Sequence, residues 1–155
     1  MKRMVISARL FSLESKQRWL IQVEPLQSQR KQLRSLLQLS AVAATRSTGV
    51  GRTNNNRLGA VVFGKRKTTV GWNSYKTHPK LRHYEYPCLH AEAHAMIKHG
   101  LDNCLGCDIL VTRILRDGSL TMAKPCNECQ QLMRSHGIRQ VYYTDWNGDI
   151  QVLDH

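Results

Sequence analysis

Acidic residues are almost absent from the first half of this chain: Glu14 and Glu24 are the only two among residues 1–70, against 14 lysines and arginines. Residues 71–155 carry 9 of each sign, so the formal charge of +12 belongs wholly to the N-terminal half. A field confined to one half predicts either a surface that meets an anion, such as a phosphate-bearing substrate or single-stranded nucleic acid, or a solvated basic arm. Long apolar runs are lacking too. None approaches the roughly 18 residues that span a bilayer, so no membrane partner is expected. No apolar secretory segment precedes the 5 cysteines, and their odd number argues against a closed disulfide framework. A cytoplasmic or otherwise intracellular reducing compartment is therefore expected, although residues 1–28, with arginines, serines and only two acids, also have the composition of an organellar transit peptide. There is no internal repeat, and no low-complexity tract beyond Asn54-Asn55-Asn56.

With 155 residues, 41% hydrophobic and 22% charged, the chain is long enough for one domain with a core of its own. We divide it into a basic, partly disordered N-terminal extension (1–28) and a catalytic domain (29–155). Ser28 is a plausible helix N-cap, because Leu33, Leu36, Leu37, Ala41 and Ala44 follow at helical spacing. Residues 46–57 are polar and aperiodic, a loop signal. Gly59–Phe63 and Thr68–Trp72 read as an antiparallel strand pair joined by Gly64-Lys65-Arg66-Lys67. An alanine-rich helix from Leu89 to His99 ends at Gly100, a buried strand covers Asp108–Thr112, and a second such helix runs from Cys126 to Gly137. Val141–Thr144 and Ile150–Leu153 are strands joined by the tight turn Asn147-Gly148. Five strands with helices between them predict an α/β fold with one mixed sheet.

Two short motifs stand at the starts of the last two helices: His90-Ala91-Glu92 and Pro125-Cys126-Asn127-Glu128-Cys129. Cysteines three apart on a first helical turn share a face, and the free N–H groups and peptide dipoles of that turn favour their thiolates. With His90 they make three ligands, which leaves the fourth tetrahedral position of a Zn²⁺ ion open, as catalysis requires. Glu92 is the carboxylate left over to carry protons. His94 lacks the order of a metalloprotease helix and reads as a hydrogen-bonded core or surface histidine. Cys104-Leu105-Gly106-Cys107 has metal spacing but no second pair to complete a closed site, and Cys88 reads as a small buried hydrophobe.

These residues resemble the cytidine and deoxycytidylate deaminase superfamily over about residues 30–152. Arg57-Leu58-Gly59-Ala60-Val61-Val62 followed by Gly71-Trp72-Asn73 is similar to the first two strands of its deoxycytidylate branch, and Gly137-Ile138-Arg139-Gln140-Val141-Tyr142-Tyr143 to the strand after its second zinc helix. The resemblance implies a three-layer fold, a mixed five-stranded sheet with helices on both faces, and one zinc per chain at the N-termini of two helices. It implies hydrolytic deamination of a cytosine nucleotide or nucleoside to the uracil product and ammonia, with Glu92 as proton carrier. It also places Asn73 against the sugar and the Ala91 backbone N–H against the pyrimidine carbonyl. The loop before His90 adds Arg82 and Tyr84, with His78, Lys80 and His83, as candidates for the phosphate or sugar side. Two features depart from the deoxycytidylate pattern. The Asn147-Gly148 hairpin ending resembles free-nucleoside deaminases, which implies a homo-oligomer, and the basic segment 1–28 has no counterpart in small nucleotide deaminases. The charge, with Trp72, Tyr75, Tyr84 and Trp146 as stacking faces, keeps two alternatives open: a deaminase of cytosine or adenine in single-stranded DNA or RNA, and a non-catalytic zinc-bearing module that binds nucleic acid.

Overall fold

A computed structural model describes residues 13–47, 56–75, 78–81 and 88–154, with side chains described outside 13–27 and 81. Arg82, His83 and Tyr84 lie outside the described residues. Alternation is the organising feature of the sheet. In β1 (Arg57–Phe63), Ala60 and Val62 point to one face, and Val61 and Phe63 to the other. β3 (Asp108–Ile114) and β5 (Gln140–Thr144) repeat the pattern, with Ile109, Val111, Val141 and Tyr143 on the first face and Leu110 and Tyr142 on the second. Strands buried on both sides need helices on both sides, and the chain supplies them.

One face is covered by α1 (Leu13–Ala44), whose Leu33 and Leu36 join Val61, Phe63, Leu110 and Tyr142 in a core. Ser40, fully buried on the same helix, shares a 2.8 Å hydrogen bond with Thr112 of β3, so its hydroxyl is not stranded in the interior. The helix runs through Ser28, which is therefore not its N-cap. The reason is local composition: Leu, Glu, Lys, Gln and Arg dominate residues 13–22, and these straight-chain residues favour helix ahead of the serine. The other face is covered by α2 (Ala91–His99) and α3 (Asn127–Ser135), whose Ala93, Ala95, Met96, Cys129, Leu132 and Met133 are all fully buried.

The strand order is β2-β1-β3-β5-β6, with β2 spanning Thr68–Trp72 and β6 spanning Ile150–Val152. β3 and β5 are parallel; every other pairing is antiparallel, including the β5–β6 hairpin. The sheet is thus mixed, as expected, but among the described residues it has six strands where five are expected. The extra one is β4 (Leu120–Thr121), which the turn at Asp117-Gly118 folds back onto Arg113 and Ile114. Two residues are too few to show a period-2 pattern, so the sequence carried no signal for it.

Two glycines set how closely the layers approach. A Cβ on Gly59 would run into the backbone of Ser40 on α1, and one on Gly71 into the backbone of Ala91 and Ala95 on α2. Only a bare Cα lets α2 lie this close to the edge strand, and that depth fixes where its N-terminus ends. Gly71→Val is expected to lower stability by about 3 kcal/mol, at the upper end of overpacking costs, because backbone and not a flexible side chain must move. Urea unfolding measures this, and an unchanged midpoint would contradict the packing described.

Candidate metal centre and active-site cleft

Both short motifs fall on helix starts. His90 is the N-cap of α2, with extended backbone at φ −77° and ψ 151°, and Cys126 is the N-cap of α3 at φ −69° and ψ 167°. Cys129 occupies the first turn of α3 and is fully buried. Because both helices lie on the same face of the sheet, their N-termini converge. The candidate ligand atoms of His90, Cys126 and Cys129 lie within 4.8 Å of one another, and they are the only such group of three among the described residues.

The distances test whether zinc fits. Tetrahedral Zn–S and Zn–N bonds of about 2.3 and 2.0–2.1 Å hold sulfur and nitrogen roughly 3.5 Å apart. His90 Nδ1 lies 3.3 Å from Cys129 Sγ and 3.6 Å from Cys126 Sγ. The donor set, one imidazole nitrogen and two thiols at these separations, fits a zinc ion with its fourth position open. The charge balance points the same way. Donation from the Cys129 thiol and from His90 brings the Cys126 pKa down to about 3 against the opposing effect of burial, so a thiolate is the resting form. Hydrogen bonding to Cys126 in turn raises the pKa of His90, despite its burial. A cation in this group would replace the protons that now bridge the donors.

Glu92 is buried, on the first turn of α2, and burial raises its pKa. It lines a cleft of about 250 Å³ together with His90, Ala91, Cys126 and Asn73. Five of the eight expected site residues thus line the cleft; Cys129 is buried with its Sγ 3.3 Å from His90 Nδ1, and Arg82 and Tyr84 fall outside the described residues. Ala91 is the first residue of α2, a position whose N–H has no acceptor within its own helix. Asn73 is 5% exposed and held on two sides: its Nδ2 donates to Asn56 O at 2.6 Å and its Oδ1 accepts from Leu58 N at 3.0 Å.

Three cleft residues escaped the sequence reading. Asn56, which in the sequence is only the end of an asparagine tract, orients Asn73 through its carbonyl. Cys88 is half-buried at the cleft wall and not a core residue; burial raises its pKa, with Cys126 adding to the effect. Lys124, exposed beside Pro125, is the cleft's one cationic side chain apart from His90 among the described residues. Its position directly before the cysteine motif was the available signal.

The remaining candidates lie elsewhere. His94 Nδ1 accepts from the backbone N–H of Trp72 at 3.1 Å, its ring meets the Trp72 ring edge-on at 4.6 Å, and burial lowers its pKa, so it is a neutral packing histidine. Trp72 is also flanked by Arg46 at 5.3 Å and Lys98 at 4.7 Å from its ring. Cys104 and Cys107 bind backbone carbonyls of Gly100 and Asn103 at 3.3 and 3.4 Å, and burial pushes the Cys104 pKa up to about 11, which keeps a protonated thiol. His78 and Lys80 do not line the cleft; the Lys80 N–H donates to His78 Nδ1 at 3.1 Å. Tyr75 and Trp146 are both exposed.

Replacing Cys129 by alanine removes one of three donors from a buried position, so zinc retained after exhaustive dialysis should fall from near stoichiometric to a small fraction. Elemental analysis of the dialysed protein measures it; unchanged zinc content would place the metal elsewhere.

The profile of the cytidine and deoxycytidylate deaminase zinc-binding region matches residues 30–145. Among solved structures, a cytidine deaminase from Burkholderia pseudomallei is similar at 20% identity and a TM-score of 0.57, over 78% of this chain and 91% of that one. A dCMP deaminase from the cyanophage S-TIM5 matches at 18% identity and a TM-score of 0.49, over 72% of this chain and 81% of that one. No curated protein sequence matches with significance. Likeness at these identities speaks for the fold, while the profile spans β1 to β5, both motifs and the helices that carry them: the chain belongs to the cytidine and deoxycytidylate deaminase family.

Proposed function

We propose that the protein is a zinc-dependent hydrolase that deaminates a cytosine nucleotide or nucleoside, with residues 29–155 as the catalytic domain and one zinc per chain. The observation that carries this reading is a buried carboxylate, Glu92, in the same cleft as a metal-donor group that numbers three among the described residues. A closed structural site has no use for such a carboxylate, and a hydrolytic one needs it. Zinc, when bound, lowers the pKa of water and so supplies a nucleophile near neutral pH.

The chain's own residues do the rest in this reading. Glu92 accepts a proton from the attacking water and delivers it to the ring nitrogen; a second proton then leaves with the exocyclic amine as ammonia, while the ring carbon becomes the uracil carbonyl. Burial favours the protonated carboxyl that this delivery requires. The Ala91 N–H meets the pyrimidine carbonyl. Asn73 meets the sugar, its amide already oriented by Asn56 and Leu58. Lys124 supports a substrate with a phosphate, because an exposed ammonium at the cleft pairs with an anion and gains nothing from a neutral sugar.

Glu92→Gln keeps the size and removes the proton carrier. Turnover should fall by about 10²-fold to 10⁴-fold, in the range general acid–base catalysis contributes, while zinc stays bound. Full retention of the protein's biological activity in this variant would favour a non-catalytic zinc-bearing module. Lys124→Ala should raise KM for deoxycytidylate by roughly 10-fold to 100-fold, the worth of a charge-assisted hydrogen bond, and leave deoxycytidine unaffected; equal effects on both would remove Lys124 from phosphate recognition. The reading as a whole is tested by incubating zinc-loaded protein with deoxycytidylate, cytidylate, cytidine, deoxycytidine and single-stranded DNA and RNA. Failure to release ammonia from any of the four free substrates overturns it. Product formed only in the strands favours the second reading, for which Arg46 and Lys98 beside Trp72, next in sequence to Asn73, are the supporting observation.

A further inference from the structure

The edge of the sheet outside β2 carries more unbalanced charge than the cleft itself. β2 is a terminal strand of the sheet, so one side of it has no partner strand among the described residues. At its cleft end Arg46, exposed at the end of α1, lies over Trp72. Next comes Lys98, exposed on α2, whose Nζ lies 4.7 Å from the Trp72 ring centroid and donates to Val70 O at 3.0 Å. Lys67 follows, its Nζ donating to the carbonyls of Lys98 and His99 at 3.4 Å. Lys65 and Arg66, exposed on the β1–β2 turn, form no ion pair with any described residue and open onto a second cavity of about 470 Å³, which His99 and Asn103 also line. Among the described residues no carboxylate lines that cavity.

The nearby acids do not neutralise this row. On β1, β2, their turn and α2 the one acid is Glu92, buried in the cleft. Asp108, at the start of β3, is held by Arg139 at 2.7 Å, which leaves, among the described residues, the exposed Asp102 on the turn after α2. Five cations therefore run beside a five-residue strand, a distance of about 17 Å at strand rise. One end lies at Trp72, the neighbour of the cleft residue Asn73, and the other at the second cavity.

We propose that the β2 edge is a track for the phosphate backbone of a single-stranded nucleic acid. A spaced row of cations of this length matches a chain of phosphates and exceeds the reach of one nucleotide. Trp72 fits such a track as an aromatic face near the cleft, although its flanking cations show that charge, not stacking, dominates. The inference rests on charge and topology and does not depend on the deaminase reading. Edge lysines also block strand-to-strand aggregation, and that role alone predicts no nucleic-acid binding.

Binding of zinc-loaded Glu92→Gln protein to a fluorescent single-stranded oligonucleotide, followed by anisotropy across salt, tests it without interference from turnover. With five phosphate contacts, affinity should fall about a hundredfold between roughly 50 and 200 mM salt. The pairs Lys65→Gln/Arg66→Gln and Arg46→Gln/Lys98→Gln sit at opposite ends, and each should reduce the salt slope by about 1.4, or 0.7 per lost contact, with the thermal midpoint as the check on folding. Lys31→Gln/Arg34→Gln, exposed on α1 across the sheet, should leave the slope unchanged. Three results overturn the track: no binding, equal weakening by all three pairs, or displacement of the oligonucleotide by a nucleoside triphosphate at equal phosphate concentration. Loss of ammonia release in wild-type protein would bear on the chemistry alone.

Discussion

The convergence of two helix N-termini on one face of the sheet is the constraint on which the rest depends. α2 and α3 each begin with a candidate ligand in extended conformation at the N-cap, beside the first-turn N–H groups that have no acceptor within their own helix. That setting suits anionic sulfur, so the low pKa of Cys126 and the proximity of His90 are consequences of where the helices start. The starts are fixed in turn by packing. Gly71 lets α2 sink against β2, and the fully buried Cys129, Leu132 and Met133 seat α3 beside it. A shift of either helix by one residue would rotate its ligand by about 100° and dissolve the group.

The cleft combines demands that oppose each other. Thiolates need positive potential, whereas the proton transfer proposed for Glu92 near neutral pH needs a site that penalises a carboxylate's charge. The fold separates the two by depth. Cys126 stays partly exposed at the helix cap with donors aimed at it, while Glu92 is turned inward among buried alanines. Asn73 reaches the cleft from the strand side, and its amide is held by Asn56 and Leu58, so the fold itself sets its orientation.

Much of this was legible in the sequence because it is local. Three-residue cysteine spacing, a histidine two before a glutamate, the glycine after His99 and the Asn-Gly turn are each explained by one or two backbone turns, and they fall on the elements they predicted. What the sequence hid depends on distant partners. β4 exists only because β3 offers it an edge, and Cys88 and Lys124 become cleft residues only when α3 docks against α2. Ser28 misled for the opposite reason: a good local cap signal was overridden by helix-forming residues before it. The cations along β2 come from three separate segments, α1, the β1–β2 turn and α2, so no window of sequence shows them as a row.

The central claim is that His90, Cys126 and Cys129 hold one zinc with its fourth position left to solvent or substrate. X-ray absorption at the zinc edge of the purified protein tests this most directly. The account predicts two sulfur neighbours at about 2.3 Å and two nitrogen or oxygen neighbours at about 2.0–2.1 Å, with one of the lighter shell exchanged when a substrate-like ligand is added. Three or four sulfur neighbours, or a shell of four protein donors that no ligand perturbs, would make the site structural and contradict it.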